Sequence, residues 1–143
     1  MPDFIAGTHS TGSIDHYLAA GAYQPPAIEV IKPGTYTTVQ DFPGRLGLWH
    51  IGVPPSGPMD DYALRLANRI VGNTPEMAGL ECTLVGPSLK FHKDSMIAIT
   101  GAVADIRLDD QNVLPGRPIA VEAGQTLSIG QGLSSFDGDR ATG

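Results

Sequence analysis

The sequence predicts a mainly β domain, a small barrel or sandwich of short strands with one main α-helix. Three observations lead there. From Gly79 onward apolar residues recur at every second position, the period of a strand and not of a helix. The 18 Gly and 12 Pro among 143 residues cut the chain into many short elements. A single stretch, Met59 to Val71, shows the apolar spacing of one helical face. Regular short strands with one helix suit a barrel or a pair of stacked sheets.

Taken in order, residues 1–26 read as a linker with a short helix. Ser13 can cap Ile14 to Ala20, Gly21 stops it, and Pro25-Pro26 blocks any continuation. Ala27 to Lys32 and Thr35 to Gln40 are strand candidates broken by Pro33-Gly34, a pair that suits a type II turn. They form either a hairpin or one strand with a tight corner. In the helix, Ala63, Leu64, Leu66, Ala67, Ile70 and Val71 share a face. Ser56 or Pro58 can start it, Asp60 and Asp61 suit its positive end, and Gly72-Asn73 closes it. Leu80, Cys82 and Leu84 then alternate with Glu81 and Thr83. Further strands are expected over Leu89 to Phe91, Met96 to Thr100, Ala104 to Leu108, Ile119 to Val121 and Thr126 to Ile129. Residues 27–130 form one domain, and residues 131–143 have too little to bury and are expected to be a disordered tail.

Composition narrows the function classes. Apolar residues at 41% and charged residues at 17% fit a globular chain. The net charge of −6, with nine scattered basic residues, leaves no footprint for a phosphate backbone, so no nucleic acid is expected as a partner. No basic, apolar leader opens the chain and no apolar run has membrane-spanning length, so a soluble cytoplasmic protein is expected. His9, His16, His50 and His92 have no ligand spacing, and no metal is expected. Cys82 lies on the apolar side of its strand and reads as a buried thiol.

The segment 37–60 is the most informative. Its glycines and prolines can stiffen a loop between a strand and the helix, and stiff loops hold binding groups in place. The polar residues on it are Gln40, Asp41, Arg45, His50, Ser56 and Asp60. Ser56 and Asp60 are either capping residues or ligand contacts. Ser56 lacks the Gly-x-Ser-x-Gly frame of a nucleophile elbow. Arg45 can reach an anion or pin the loop to Asp41. Arg65 and Asn68 lie three apart and can border one cavity or face solvent. Glu81 is either a buried carboxylate with a role or a solvated one. No residue is singled out as catalytic.

The words Thr37-Thr-Val-Gln-Asp41, Phe42-Pro-Gly-Arg45 and Gly52-Val-Pro-Pro-Ser-Gly-Pro-Met-Asp-Asp61, followed by Arg65 to Asn73, resemble the start of a known domain. It is the carboxyltransferase domain of urea carboxylase, the carboxylase part of urea amidolyase. They resemble less closely a family of bacterial 5-oxoprolinase subunits, also called the allophanate hydrolase subunit 2-like family. Tyr23-x-Pro25 before Ile28-Glu-Val30 is similar to the passage from a biotin carboxylase domain into the carboxyltransferase domain. The resemblance implies a cyclophilin-like, partial barrel and a site for carboxyl transfer from carboxybiotin to urea, giving allophanate. Gln40, Asp41, Arg45, Ser56, Asp60, Asn68 and Glu81 are the candidate contacts to substrate or carboxybiotin on that reading. The resemblance further implies biotin on a carrier domain and ATP at a biotin carboxylase domain, both outside this chain, with the remaining domains or subunits as partners. On that reading residues 1–26 are the tail of an upstream domain, and the chain is a fragment inactive alone. The alternative is a free-standing module of the 5-oxoprolinase type, or a regulatory binding protein, acting with a partner subunit.

Overall fold

The computed structural model describes residues 3–7, 27–102 and 104–132. Strands β1 (Asp3–Gly7), β2 (Ile28–Lys32) and β3 (Tyr36–Gln40) precede the one described α-helix, α1 (Asp61–Ile70). β4 (Gly79–Thr83), β5 (Ser88–Phe91), β6 (Ser95–Gly101), β7 (Ala104–Leu108), β8 (Gln111–Asn112), β9 (Ile119–Val121) and β10 (Thr126–Gly132) follow. They build two five-stranded sheets, one in the order β3-β4-β1-β6-β9 and the other β2-β5-β10-β7-β8. The sheets do not close on each other, so the partial barrel takes the form of an open sandwich.

The main core lies between the sheets. Cys82, Ile97 and Ile99 of the first sheet meet Leu89, Phe91 and Leu127 of the second, all almost fully buried. Helix α1 covers the opposite face of the first sheet, where Ala63, Leu64 and Ala67 pack with Ala98 of β6. β6 is therefore buried on both faces, which is why Ile97 to Thr100 is buried throughout and Ile97 to Ile99 runs apolar without alternation. Gly79 sits where an added Cβ would press on Leu64 at 2.8 Å and the Ile5 carbonyl oxygen at 2.9 Å. Helix and sheet approach closely there.

Several expectations change. Of the two forms expected for residues 27–40 the hairpin is excluded and the tight corner is found: β2 and β3 belong to different sheets, and Gly34, at φ 74°, turns the chain from one to the other. Residues 3–7 are not linker but a strand between β4 and β6, paired antiparallel with both. The short helix expected over Ile14 to Ala20 lies outside the described residues. α1 begins at Asp61 with Asp60 as its N-cap, so neither Ser56 nor Pro58 starts it. Leu84 lies past the end of β4, with φ 65° and 65% exposure, so it leaves the alternation begun by Leu80 and Cys82. β8 stands where only a turn is expected. It pairs with β7 through Leu108 opposite Gln111, and Asp109 takes φ 52° in the connection, which aspartate tolerates better than most residues. β10 continues to Gly132, two residues into the expected tail, and residues 133–143 lie outside the described set.

Candidate functional site

The loop between β3 and α1 is closed at its base by three backbone groups and one hydroxyl. The Arg45 N–H donates to Ser56 Oγ at 3.1 Å and the Ser56 N–H donates to the Arg45 carbonyl at 3.0 Å. The Arg45 guanidinium adds a bond from Nη2 to the Pro54 carbonyl at 3.3 Å. Such contact between two chain segments demands glycine. Gly44 has φ 75°, and a side chain there would collide with the Ser56 carbonyl oxygen. Above the base, the Val53 N–H bonds the Leu48 carbonyl at 3.2 Å around a short 3₁₀ turn, Trp49–Ile51. This turn presents Trp49 and Ile51 to solvent, at 70% and 62% exposure.

Two carboxylates fasten the end of the loop to the scaffold. Asp60 Oδ1 accepts the Ala63 N–H at 2.9 Å, satisfying one of the free donors of the first helical turn. Glu81 Oε1 accepts the Met59 N–H at 2.9 Å. Glu81 is only 7% exposed, and that bond offsets part of the cost of taking its carboxylate out of water. Directly across the ladder from Glu81 stands Thr38 of β3, whose hydroxyl accepts Gln40 Nε2 at 3.0 Å. Thr38, Gln40 and Glu81 thus share the helix-side face of the first sheet, beside the loop end.

Among the expected residues, the structure brings together Gln40, Glu81 and Asp60 on this face and Arg45 with Ser56 at the loop base. Asp41 follows β3 and is exposed. Arg45 does not pin Asp41, since its guanidinium is directed to Pro54. Asn68 and Arg65 do not border one cavity. Asn68 is fully buried, donates from Nδ2 to the Met77 carbonyl at 2.7 Å and accepts from Asn73 Nδ2 at 3.0 Å. Those bonds hold the turn after α1, and they make Asn68 a scaffold residue. Arg65 lies on the exposed side, 3.4 Å from Asp61 and with its guanidinium 4.9 Å from the centroid of the Phe42 ring. Thr38 is the residue that sequence reasoning missed, although its place two residues before Gln40 on a strand puts both on one face.

Chemically, the face offers acceptors more than donors: carboxylate oxygens of Glu81 and Asp60 and the amide oxygen of Gln40. The Arg45 guanidinium is the cation of the loop base. No nucleophile with an adjacent base is assembled among the described residues of this face, and no group of three or more His, Cys, Asp and Glu suited to a metal occurs among the described residues. Cys82 is buried between the sheets.

The fold and site define a β-rich domain that displays hydrogen-bonding groups on a stiffened loop. Residues 51–138 match the family described as carboxyltransferase domain, subdomain A and B, and the chain belongs to that family. It is 51% identical over 130 residues to urea amidolyase of Saccharomyces cerevisiae, covering 90% of this chain and 7% of that protein. It is 41% identical over 102 residues to a 5-oxoprolinase subunit of Escherichia coli, covering 71% of this chain and 33% of that one. The crystal structure of Kluyveromyces lactis urea amidolyase superposes with a TM-score of 0.74 at 49% identity, over 81% of this chain and 7% of the larger one. The chain thus spans only a small part of the long relatives it matches.

Proposed function

We propose that residues 27–130 are the opening part of the carboxyltransferase domain of a urea carboxylase-type enzyme, which carboxylates urea to allophanate and which this chain cannot complete alone. The observation that carries this reading is the 51% identity to urea amidolyase across 90% of the chain. A ureido group suits the face described above, because its N–H donors match the oxygens of Glu81, Gln40 and Asp60. Biotin, on a carrier elsewhere in the long protein and charged at an ATP-dependent domain, supplies the carboxyl group. This chain's residues orient and desolvate the reactants. Glu81, Gln40 and Asp60 accept from urea nitrogen, and the loop base at Arg45 and Ser56 keeps the site's wall rigid. Arg45, with Asp41 at the loop entrance, is the cation assigned in this reading to the carboxylate oxygens. Asn68 is left out of the ligand contacts because its amide is already committed to Met77 and Asn73.

Action in the cytoplasm belongs to the same reading, and no described helix is long and apolar enough to cross a membrane. The test is urea-dependent formation of allophanate with ATP, bicarbonate and biotinylated enzyme, run on the long polypeptide that carries this sequence and on the 143-residue chain. Turnover by the long form alone supports the reading; a long form indifferent to urea overturns it. A second reading, a module working with a partner subunit in 5-oxoproline hydrolysis, draws on the larger share, 33%, that the chain spans of the Escherichia coli relative.

A further inference from the structure

On the outer face of the second sheet, away from the core, one polar row crosses four neighbouring strands. Lys32 of β2 stands opposite Ser88 of β5, Ser88 opposite Ser128 of β10, and Ser128 opposite Arg107 of β7. Alternation puts the row outside, because Leu89, Leu127 and Ile106 next to its members face the core. Lys32 joins it only through an irregularity. The register between β2 and β5 shifts between Val30 and Lys32, and without that shift Ile31 would stand opposite Ser88. Bulges re-aim a side chain in this way, and they are over-represented beside active sites.

The row borders a groove of about 450 Å³, walled by the turns at Pro33-Gly34 and Val85-Gly-Pro87 on one side and by Asp105 and Arg107 on the other. That volume is in the range of a small-molecule site. The Ser88 and Ser128 hydroxyls bond each other at 2.8 Å. Two hydroxyls so paired keep one O–H to donate and spare lone pairs to accept. Asp105 Oδ2 lies 3.4 Å from Arg107 Nε, and among the described residues nothing engages the two terminal nitrogens of that guanidinium. Its fork is steadied from behind and free in front, the geometry that grips a carboxylate with two bonds. Lys32 has no ion-pair partner among the described residues. Gly130 also lines the groove, where an added Cβ would come within 3.3 Å of the Asp105 carbonyl oxygen. Glycine inside a strand often marks a place where a ligand approaches the backbone closely.

We propose that this groove binds a small monocarboxylate that also carries an amide or a hydroxyl. The Arg107 fork takes the carboxylate, the Ser88 and Ser128 hydroxyls take the amide or hydroxyl, and Lys32 adds a second positive charge. Two cations and one carboxylate line the groove, so it suits one negative charge, and Asp105 beside the fork repels a second. The site is separate from the one assigned to urea. It shares no residue with the polar face at Glu81, which lies on the helix side of the other sheet.

Calorimetric titration of the native-length polypeptide tests this with N-acetylglycine, a monocarboxylate that carries one amide. Saturable binding is expected, and Arg107→Gln should weaken it at least about tenfold, as loss of charge-assisted hydrogen bonds does. Arg107 is about half exposed, so this variant should fold. Ser128→Ala should weaken binding about threefold, and N-acetylglycinamide, which lacks the charge, should bind at least about tenfold more weakly than N-acetylglycine. No saturable binding up to about 10 mM overturns the proposal. Unchanged affinity in Arg107→Gln, or equal affinity for the uncharged probe, also overturns it. Inorganic phosphate bound more tightly than N-acetylglycine would overturn the assignment of a single charge. Arg107→Gln should leave urea-dependent carboxylation unchanged, and a loss of turnover there would overturn the separation of the two sites. Binding is read without turnover, so its failure is distinct from failure of the carboxylation assay.

Discussion

The core between the sheets and the helix-side face of the first sheet are both buried, but by different means. Between the sheets, Leu89, Phe91, Ile97, Ile99 and Leu127 fill space with hydrocarbon, and volume is what specifies them. On the helix side, Asn68, Glu81 and Thr100 are buried polar groups, and each has a named partner: Met77, the Met59 N–H and the Ala63 carbonyl, the last accepting from Thr100 Oγ1 at 2.8 Å. The first region tolerates changes of shape that keep volume. The second depends on single bonds, because a buried polar atom that loses its partner keeps the full cost of leaving water. The buried polar groups lie in the second region, and one of them, Glu81, holds the loop end at which the proposed function is placed.

Substitutions that separate the two regions follow in descending size of effect. Phe91→Ala, in the inter-sheet core, should cost about 3 to 5 kcal/mol, read as a shift of the urea unfolding midpoint, while Phe91→Leu should cost far less. A similar loss for both would mean that shape, not volume, governs that core. Gly44→Ala should cost about 1 to 3 kcal/mol, because φ 75° and the Ser56 carbonyl both resist a side chain, and it should abolish carboxyltransferase activity of the long polypeptide before the domain unfolds. Retained activity would separate the loop base from the site.

Glu81 gives the sharpest contrast between holding and binding. Glu81→Ala should destabilise by about 1 to 3 kcal/mol through the orphaned Met59 N–H, whereas Glu81→Gln keeps an acceptor and should leave the thermal midpoint nearly unchanged. In the long polypeptide Glu81→Gln should nonetheless raise KM for urea, since the amide offers fewer acceptors. An unchanged KM would confine Glu81 to holding the loop. Asp60→Ala should cost about 1 kcal/mol as a lost cap, and Asp60→Asn only a few tenths, measured by chemical denaturation. Smallest of all, Arg65→Ala should change stability by less than about 1 kcal/mol, because both partners of its contact with Asp61 are about half exposed.

The helix and most strands are legible in the sequence to within a few residues, whereas β1 reads as linker and β8 as a turn. Ala104 to Leu108 and Ile119 to Val121 match β7 and β9, because alternation along a strand is a local property. The site's neighbourhood is legible too, from the density of Gly and Pro between Gln40 and Asp60. Its inner arrangement is not. Ser56 reads as a helix cap from its place in sequence, yet Asp60 holds the Ala63 N–H and Ser56 closes a loop with Arg45. Asn68 reads as bordering a cavity or facing solvent from its helical position, but the return of the chain at Met77 buries it. Trp49 and Ile51 carry no pattern at all, since an isolated apolar residue in a loop does not reveal whether anything covers it.

By itself the sequence determined the mainly β class, the main helix within Met59 to Val71, the signature loop and the family to which these words belong. Those depend on residue period, turn chemistry and order along the chain. Only the tertiary structure decided that β2 and β3 part into different sheets, that residues 3–7 enter between β4 and β6, and that Glu81 points toward the helix and not toward the inter-sheet core. Strand partners and the direction a side chain faces are set by contacts between residues far apart in sequence, and no local period encodes which distant surface will arrive.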